Sequence, residues 1–389
     1  MLAIKLAYKN LIGAGLRTWL NVIVLSFSFV VIIWYRGFLE GWNREARRDT
    51  INWEIGGGQY WQQAYDPYDP FTLTDGHAVV TEPLKNEIKD GKASPILITQ
   101  ATIYPEGRMQ SALLKGIDPD QHILELPTGL LKNDSTQLTA IIGTRMAKSN
   151  KLEKGSTFTV RWRNVNGTFD ATELKIAGVF KTNVPAVDVG QLWVPLNRLR
   201  QMMQMPGEAS LVVVSPNTSA INVAGWNFKD QEFLLSDIDK IIKSKSAGAA
   251  ILYTLLLLLA MLAIFDTQIL SIFRRQREIG TLIALGMTRS RVVGLFTVEG
   301  AMHSILAALV AAVYGIPLLT FMAIHGFTLP AGTDSYGLTM SDTIFPVYGI
   351  GLVAGTVIVI FITATIVSFI PARRIAKMKP TDAIRGKIQ

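Results

Sequence analysis

"FRRQREIGTLIALGMTRSRV", residues 273–292, stands between two strongly apolar segments. It opens with Arg274, Arg275 and Arg277, continues through Glu278, Ile279, Gly280, Leu282, Ile283, Ala284 and Leu285, breaks at Gly286, and resumes with Arg289 and Arg291. Apolar residues at helical spacing, followed by a glycine free to take positive φ, predict a helix of about two turns that ends at Gly286. The stretch is too short for a domain and too apolar for a plain linker. A short helix exposing apolar side chains between arginines calls for a partner groove, with the arginines fixing its orientation; a helix lying flat on lipid is the plainer alternative.

The segments on either side decide the class. Hydrophobic residues make up 49% of the 389-residue chain and charged residues 17%, and the mean hydropathy is +0.30. Four windows reach the roughly 20 apolar residues that a bilayer core demands: 20–39, 249–272, 295–324 and 345–370. The expected fold is an α-helical membrane protein with four transmembrane helices and an α+β extracytoplasmic domain inserted between the first and second. Orientation follows the lysines and arginines of the short flanks. Segments 1–19, 273–293 and 371–389 are rich in them, and the loop 325–344 has none. Both termini and the arginine stretch are therefore expected in the cytoplasm, with 40–247 and 325–344 outside.

The formal charge of +8 lies on those cytoplasmic edges, which suits anionic lipid headgroups and argues against nucleic acid. The chain has no cysteine, so disulfides and zinc–thiolate sites are excluded. No small-residue cleavage site follows the first window, which reads as an uncleaved signal anchor. Residues 1–19 alternate Leu2, Leu6, Leu11 and Ile12 with Lys5, Lys9 and Arg17, the pattern of an amphipathic helix on the inner leaflet; a plain helical extension of the first window is the alternative.

Within 40–247, "EGWNREARRDT" continues the first helix outward until the Gly56–Gly58 break. In "YDPYDPFTLTDG" an aspartate precedes each proline, which predicts a structural turn rather than a calcium loop. Residues 77–90 read as a helix, 96–107 and 109–118 as strands, and 141–182 as a short helix followed by a hairpin through Asn166–Gly167. Residues 192–205 pass from strand to helix, and 210–216 form a strand. The run 228–248 has helical spacing into the second window, so that helices at both ends would form a stalk.

Enzyme chemistry finds no support in the residues. There is no phosphate-cradling G-x-x-x-x-G-K-[ST] loop, G-x-S-x-G or H-E-x-x-H, and the histidines His77, His122, His303 and His325 are scattered. No catalytic, cofactor or metal residues are therefore assigned. Asp266, Glu299 and His303 fall inside apolar windows, where ionisable groups are costly and are functional candidates by default. Glu299 and His303 share a helix face. Structural pairing, including Asp266 with a nearby arginine, is favoured over a proton or ion path.

The stretch resembles the signature R-x-x-E-I-G-x-x-x-A-L-G of FtsX-like permeases of ATP-binding cassette transporters, a group with members of the MacB and LolC/LolE types. The match is carried by Arg275, Glu278, Ile279, Gly280, Ala284, Leu285 and Gly286. A second match, "FIPARRIAKMKPTDAIRG", is similar to the family's closing motif through Pro371, Ala372, Ile375, Pro380, Ala383 and Arg385, with isoleucines at 375 and 384 where alanine and leucine are commoner. "IGTRMAKSNKLEKGSTFTV" and "LKIAGVFKT" resemble the external domain of the lipoprotein-releasing branch. The resemblance implies a permease subunit of the bacterial inner membrane that is not itself an enzyme. It implies a coupling helix, Arg274 to Gly286 with Arg277 and Leu282 included, docked on a cytoplasmic ABC ATPase dimer that binds ATP and Mg. It also implies a second permease as partner, and mechanotransmission from the ATPase to the external domain. Extraction of a lipoprotein or similar amphiphile is the favoured activity. Tripartite efflux of small hydrophobic compounds or peptides, and signalling to a periplasmic hydrolase, are the alternatives.

Overall fold

The computed structural model describes residues 16–132, 137–216, 218–328 and 343–375. Most of the expected amphipathic helix at 1–19, most of the loop 325–344, and the family positions Pro380, Ala383 and Arg385 lie outside the described residues. In chain order the elements begin with α1 (Leu16–Thr50), β1 (Gly58–Gln62), β2 (Ala78–Val79), α2 (Glu82–Lys89), β3 (Ala93–Tyr104) and β4 (Gln110–Ile117). There follow β5 (Leu138–Gly143), α3 (Thr144–Asn150), β6 (Thr157–Arg163), β7 (Phe169–Phe180), α4 (Pro185–Asp188), β8 (Gln191–Pro195), α5 (Leu196–Met203), β9 (Glu208–Ala209), β10 (Leu211–Val214) and β11 (Trp226–Lys229). The chain closes with α6 (Gln231–Arg274), α7 (Gln276–Ala284), α8 (Arg289–His325), β12 (Phe327–Thr328), β13 (Thr343–Ile344) and α9 (Ile350–Ile375). The described residues fall into two compact units, one within Met1–Asn43, Ile242–Pro330 and Asp342–Gln389, the other chiefly within Arg44–Ile241.

In the first unit α1, α6, α8 and α9 are long and apolar enough to cross a membrane. Val22, Leu25 and Phe29 of α1 pack with Ala260 and Ile264 of α6, Ala307 and Ala311 of α8, and Ile360 and Ala364 of α9. Small residues bring these helices close: a Cβ on Gly315 would meet Val30 Cγ2 at 2.7 Å, the close approach that packing between membrane helices relies on. Leu255, Leu259 and Leu262 of α6, Leu309 and Val313 of α8, and Ile358, Ile362 and Ile366 of α9 remain exposed. A surface so uniformly apolar suits lipid rather than water. The fourth helix starts at Ile350, later than the apolar window at 345 suggests. Pro346 has no N–H to give and biases Phe345 to an extended backbone; Val347 N–H donates instead to the Gly37 carbonyl at 2.9 Å.

The second unit is built on a nine-stranded mixed sheet in the order β11-β1-β10-β3-β4-β8-β5-β7-β6, in which β6 also pairs with β3. Six strands thus close into a ring, while β10, β1 and β11 extend from the first half of β3. The pairs β4–β8 and β5–β7 are parallel. Inside the ring Leu97, Ile103, Leu114, Ala140, Ile142, Val160, Trp162 and Ile176 form one core, and the opposite faces of the same strands supply Ile98, Ile141 and Trp193 to a second. β6 alternates strictly, with Phe158, Val160 and Trp162 inward and Arg161 and Arg163 outward, as the two-residue period of a half-buried strand requires. The predicted hairpin is present, with Gly167 at φ 80° in its turn. The predicted aspartate turns are also present: Asp66 Oδ1 accepts from Tyr68 N at 2.9 Å and Asp69 Oδ1 from Phe71 N at 3.0 Å.

Three readings of this unit are corrected. Residues 141–143 close the strand β5, buried on both faces, and the short helix begins only at Thr144. Residues 78–79 are a strand paired with β9, and α2 begins only at Glu82, followed by Pro83, because proline is accommodated in the first helical turn and not within a helix. Residues 226–229 are the strand β11 on β1, so the helical spacing from Phe228 overreaches by three residues before Gln231. Lys115 on β4 is buried, with its ammonium 5.1 Å from the Trp193 ring centroid. Burial pushes its pKa below the ordinary lysine value, and the charge of Glu54 opposes that shift.

Candidate functional site

The stretch that opens the sequence reading forms a helical bracket between α6 and α8. Arg275, at φ −99° and ψ 15°, interrupts the helix between Arg274 and Gln276. Its N–H donates to the Ser271 and Ile272 carbonyls, and its own carbonyl accepts from Ile279 at 3.0 Å. α7 stops at Gly286, whose φ is 95°. Gly286 N–H donates to the Ile283 carbonyl and Met287 N–H to the Leu282 carbonyl, each at 3.0 Å, which satisfies two of the carbonyls that a helix end leaves open.

The apolar residues of α7 do not all face outward. Ile279 is buried with Ile272, Val292, Phe296 and Ala372, and Ile283, Met287 and Val293 pack against this cluster. Gly280 is buried beside Ile279. The sequence reading offers Ile279, Leu282, Ile283 and Leu285 as one exposed face; the structure turns Ile279 inward, since the helix lies against the ends of α6, α8 and α9 through that residue. Leu285 is 80% exposed, and Arg274, Arg277, Glu278, Thr281, Ala284, Gly286, Arg289 and Arg291 are exposed with it, while Leu282 is half-buried. What the bracket presents outward is therefore Leu285 among cations, with Glu278, Thr281 and Ala284 beside it.

Arg275 ties the bracket to α8. Its Nε donates to Glu278 Oε2 at 2.7 Å, and its Nη1 to Glu299 Oε2 at 2.9 Å and Oε1 at 3.3 Å. The guanidinium also lies 5.1 Å from the Phe296 ring centroid. The Glu299 side chain is only 6% exposed, so the arginine supplies the counter-charge that a buried carboxylate needs. His303 Nδ1 lies 2.9 Å from the Glu299 backbone carbonyl oxygen, which makes Nδ1 the donor. One residue beyond Glu299, a Cβ on Gly300 would meet Ser368 Oγ at 2.0 Å and Gln268 Nε2 at 3.1 Å. α6, α8 and α9 therefore cross tightly at this glycine.

The structure brings Arg275, Glu278, Glu299 and His303 together with Ile279 and Ala372. Pro371 is buried on α9 near the same end. Asp266 is not part of the group: it is exposed on α6, and among the described residues it forms no ion pair. The buried polar residues that sequence reading passes over are Gln268, Gln276 and Ser368. Gln268 and Ser368 are uncharged residues in apolar runs, whose contact with Gly300 depends on how the helices cross. Among the described residues, no three His, Asp or Glu side chains are placed to hold a metal ion.

The family model for the FtsX-like permease C-terminal domain matches residues 250–380, which take in the whole bracket and the helices it joins. This part of the chain is an FtsX-like permease domain. Similar proteins extend the likeness beyond it. An uncharacterized ABC transporter permease of Methanocaldococcus jannaschii is 25% identical over 41% of this chain and 40% of its own. The macrolide export ATP-binding/permease protein MacB of Neisseria meningitidis is 22% identical over 56% of this chain and 34% of its own. The chain thus matches well under half the length of these two relatives. The lipoprotein-releasing system transmembrane protein LolC of Xylella fastidiosa is 22% identical over 75% of this chain and 77% of its own. The extracellular domain of the ABC-type transporter YknZ, from Gram-positive bacteria, aligns at 17% identity over 42% of this chain and 83% of that one, with a TM-score of 0.26. Within the FtsX-like domain, the segment joining its first two long helices is the bracket that Arg275 anchors.

Proposed function

We propose that this chain is the permease subunit of an ABC transporter that works by mechanotransmission. In this reading α1, α6, α8 and α9 span the bacterial inner membrane with both termini cytoplasmic, and the sheet unit stands in the periplasm. α7 is the coupling helix. Leu285 and the surrounding arginines dock on a cytoplasmic ATPase dimer, which binds ATP and Mg, and a second permease completes the assembly.

The observation that carries the reading is the Arg275 guanidinium shared between Glu278 on α7 and buried Glu299 on α8. A push on α7 is delivered through that ion pair and the Ile279 cluster to three long helices at once. α1 and α6 each continue as one helix beyond their apolar windows, to Thr50 and from Gln231, which suits transmission to the periplasmic side. For the cargo we favour a lipoprotein or similar amphiphile taken from the outer leaflet, since the likeness to LolC extends over three quarters of both chains.

Affinity purification of the intact protein in mild detergent, with mass spectrometry of proteins and lipids, tests this. A cassette ATPase recovered together with lipoprotein supports the extractor. An ATPase with a periplasmic adaptor and outer-membrane channel replaces it with an efflux pump, and an ATPase with a periplasmic hydrolase replaces it with a signalling complex. Recovery without any ATPase overturns the permease reading.

A further inference from the structure

Arg36 lies on α1 inside the apolar window 20–39, where a cation is expensive without a partner. Aromatic residues surround that level: Trp34 and Phe38 each stand 5.8 Å from Phe327, and Tyr35 stands 5.6 Å from Tyr253, between ring centroids. Such a collar marks the headgroup depth of a membrane. An arginine at this level ordinarily snorkels outward along its own helix, but Arg36 does not. α1 runs antiparallel to the segment entering α9, with Gly41 against Phe345 and Gly37 against Tyr348. Arg36 Nη1 donates at 3.1 Å to Thr356 Oγ1, further along α9 than Tyr348 and so away from the collar's outer edge. The guanidinium carbon is 5.9 Å from the Tyr253 ring centroid on α6. The Thr356 hydroxyl passes its own proton to the Leu352 carbonyl at 2.8 Å, so it accepts from Arg36 and offers nothing more.

A guanidinium carries five N–H donors. Among the described residues, Thr356 is the hydrogen-bond acceptor for Arg36, and no carboxylate comes within ion-pair reach of it. The Tyr348 hydroxyl, on the side chain that packs against Gly37, is also buried without a partner there. The cation is thus held half-buried between three helices with most of its donors unspent. We infer that Arg36, held in place by Tyr253 and Thr356, forms a site for the phosphate of an anionic phospholipid that inserts between α1, α6 and α9. A zwitterionic lipid carries its own cation to compete for that phosphate; an anionic one does not. Exposed Leu252, Leu255 and Leu259 on α6 offer apolar surface to its acyl chains.

The inference rests on the membrane reading above, and its test separates the two. Full-length protein is reconstituted in nanodiscs of equal phosphatidylglycerol and phosphatidylcholine, and the lipids retained after gentle release are counted by native mass spectrometry. The wild type is expected to retain phosphatidylglycerol about fivefold over phosphatidylcholine. Arg36→Gln falls to the bulk ratio, Arg36→Lys keeps part of the preference, and Lys245→Gln, at a cation beside Trp42, keeps all of it. Excess inorganic phosphate leaves the lipid in place; displacement by it would overturn the lipid assignment. Equal retention of both lipids by the wild type overturns the site without recourse to any variant, as does a preference that survives in Arg36→Gln. Failure of the membrane reading shows differently, as a chain that alkaline carbonate strips from membranes.

Discussion

Arg275 Nη1 meets Glu299 Oε2 at 2.9 Å while Nε of the same guanidinium meets Glu278 Oε2 at 2.7 Å. One cation therefore joins a carboxylate on the short helix to a buried carboxylate on the long one. The first pair is exposed on its glutamate side and contributes little by itself. The second is enclosed, and removing either partner strands a charge.

A double-mutant cycle over Arg275→Met and Glu299→Met is expected to give a coupling energy of about 0.5–3 kcal/mol, read from reversible unfolding in detergent. The same cycle over Arg275 and exposed Glu278 should give about 0–1 kcal/mol. Equal couplings would show that the buried pair is not the structural tie.

Ile279 on the short helix and Leu285 at its C-cap have opposite exposures, so their substitutions should separate docking from folding. Leu285→Asp is expected to weaken ATPase binding by about 2 kcal/mol, roughly thirtyfold, with an unchanged melting temperature. Ile279→Ala is expected to lose about 2–5 kcal/mol of stability. Surface plasmon resonance and thermal unfolding of each variant distinguish these effects.

Gly300 leaves no room for a methyl group, since Ser368 Cβ would stand 2.3 Å from it. Gly300→Ala should cost about 1–3 kcal/mol through overpacking, and Ser368→Gly in the same chain should return part of that loss. A Gly300→Ala variant that melts with the wild type would show that the three helices do not cross this tightly.

Lys115 gives the sheet unit a pH dependence of definite sign. Its folded pKa lies below the ordinary 10.5, so between the folded value and 10.5 the unfolded chain binds more protons, and stability rises with pH over that window. Below the folded value the cost of burying the charged form is fully present. The melting temperature of the wild type relative to Lys115→Met should therefore climb as the pH rises toward 10.5. A constant difference would place the lysine in a solvated position.

The sequence made legible what depends on local pattern. The two-turn helix ending at Gly286, the alternation of Thr157–Arg163 and the Asn166–Gly167 hairpin all follow from spacing and turn chemistry. β1 escapes such a reading because Gly58–Trp61 are all buried, and a strand covered on both faces shows no alternation. At the site, Arg275, Glu278 and Glu299 each stand out by residue type and position, but their joining does not, because it needs α6 and α8 to fold back on one another across the bracket. Nothing in the local spacing says that Ile279 turns inward while Leu285 turns out; that is set by where α9 places Ala372. The same limit hid the inward reach of Arg36 to Thr356.

The central claim is that α7 is where an ATPase takes hold. The absence of native cysteine makes Leu285→Cys a single, unambiguous probe, to be cross-linked in native membranes with and without ATP. The account predicts a cross-link to a cassette ATPase whose yield changes with nucleotide, and its loss when Arg277→Glu and Glu278→Arg are added while the sheet unit stays folded. A cross-link that persists unchanged through the charge reversal, or a Leu285→Cys chain that captures no ATPase, would contradict it.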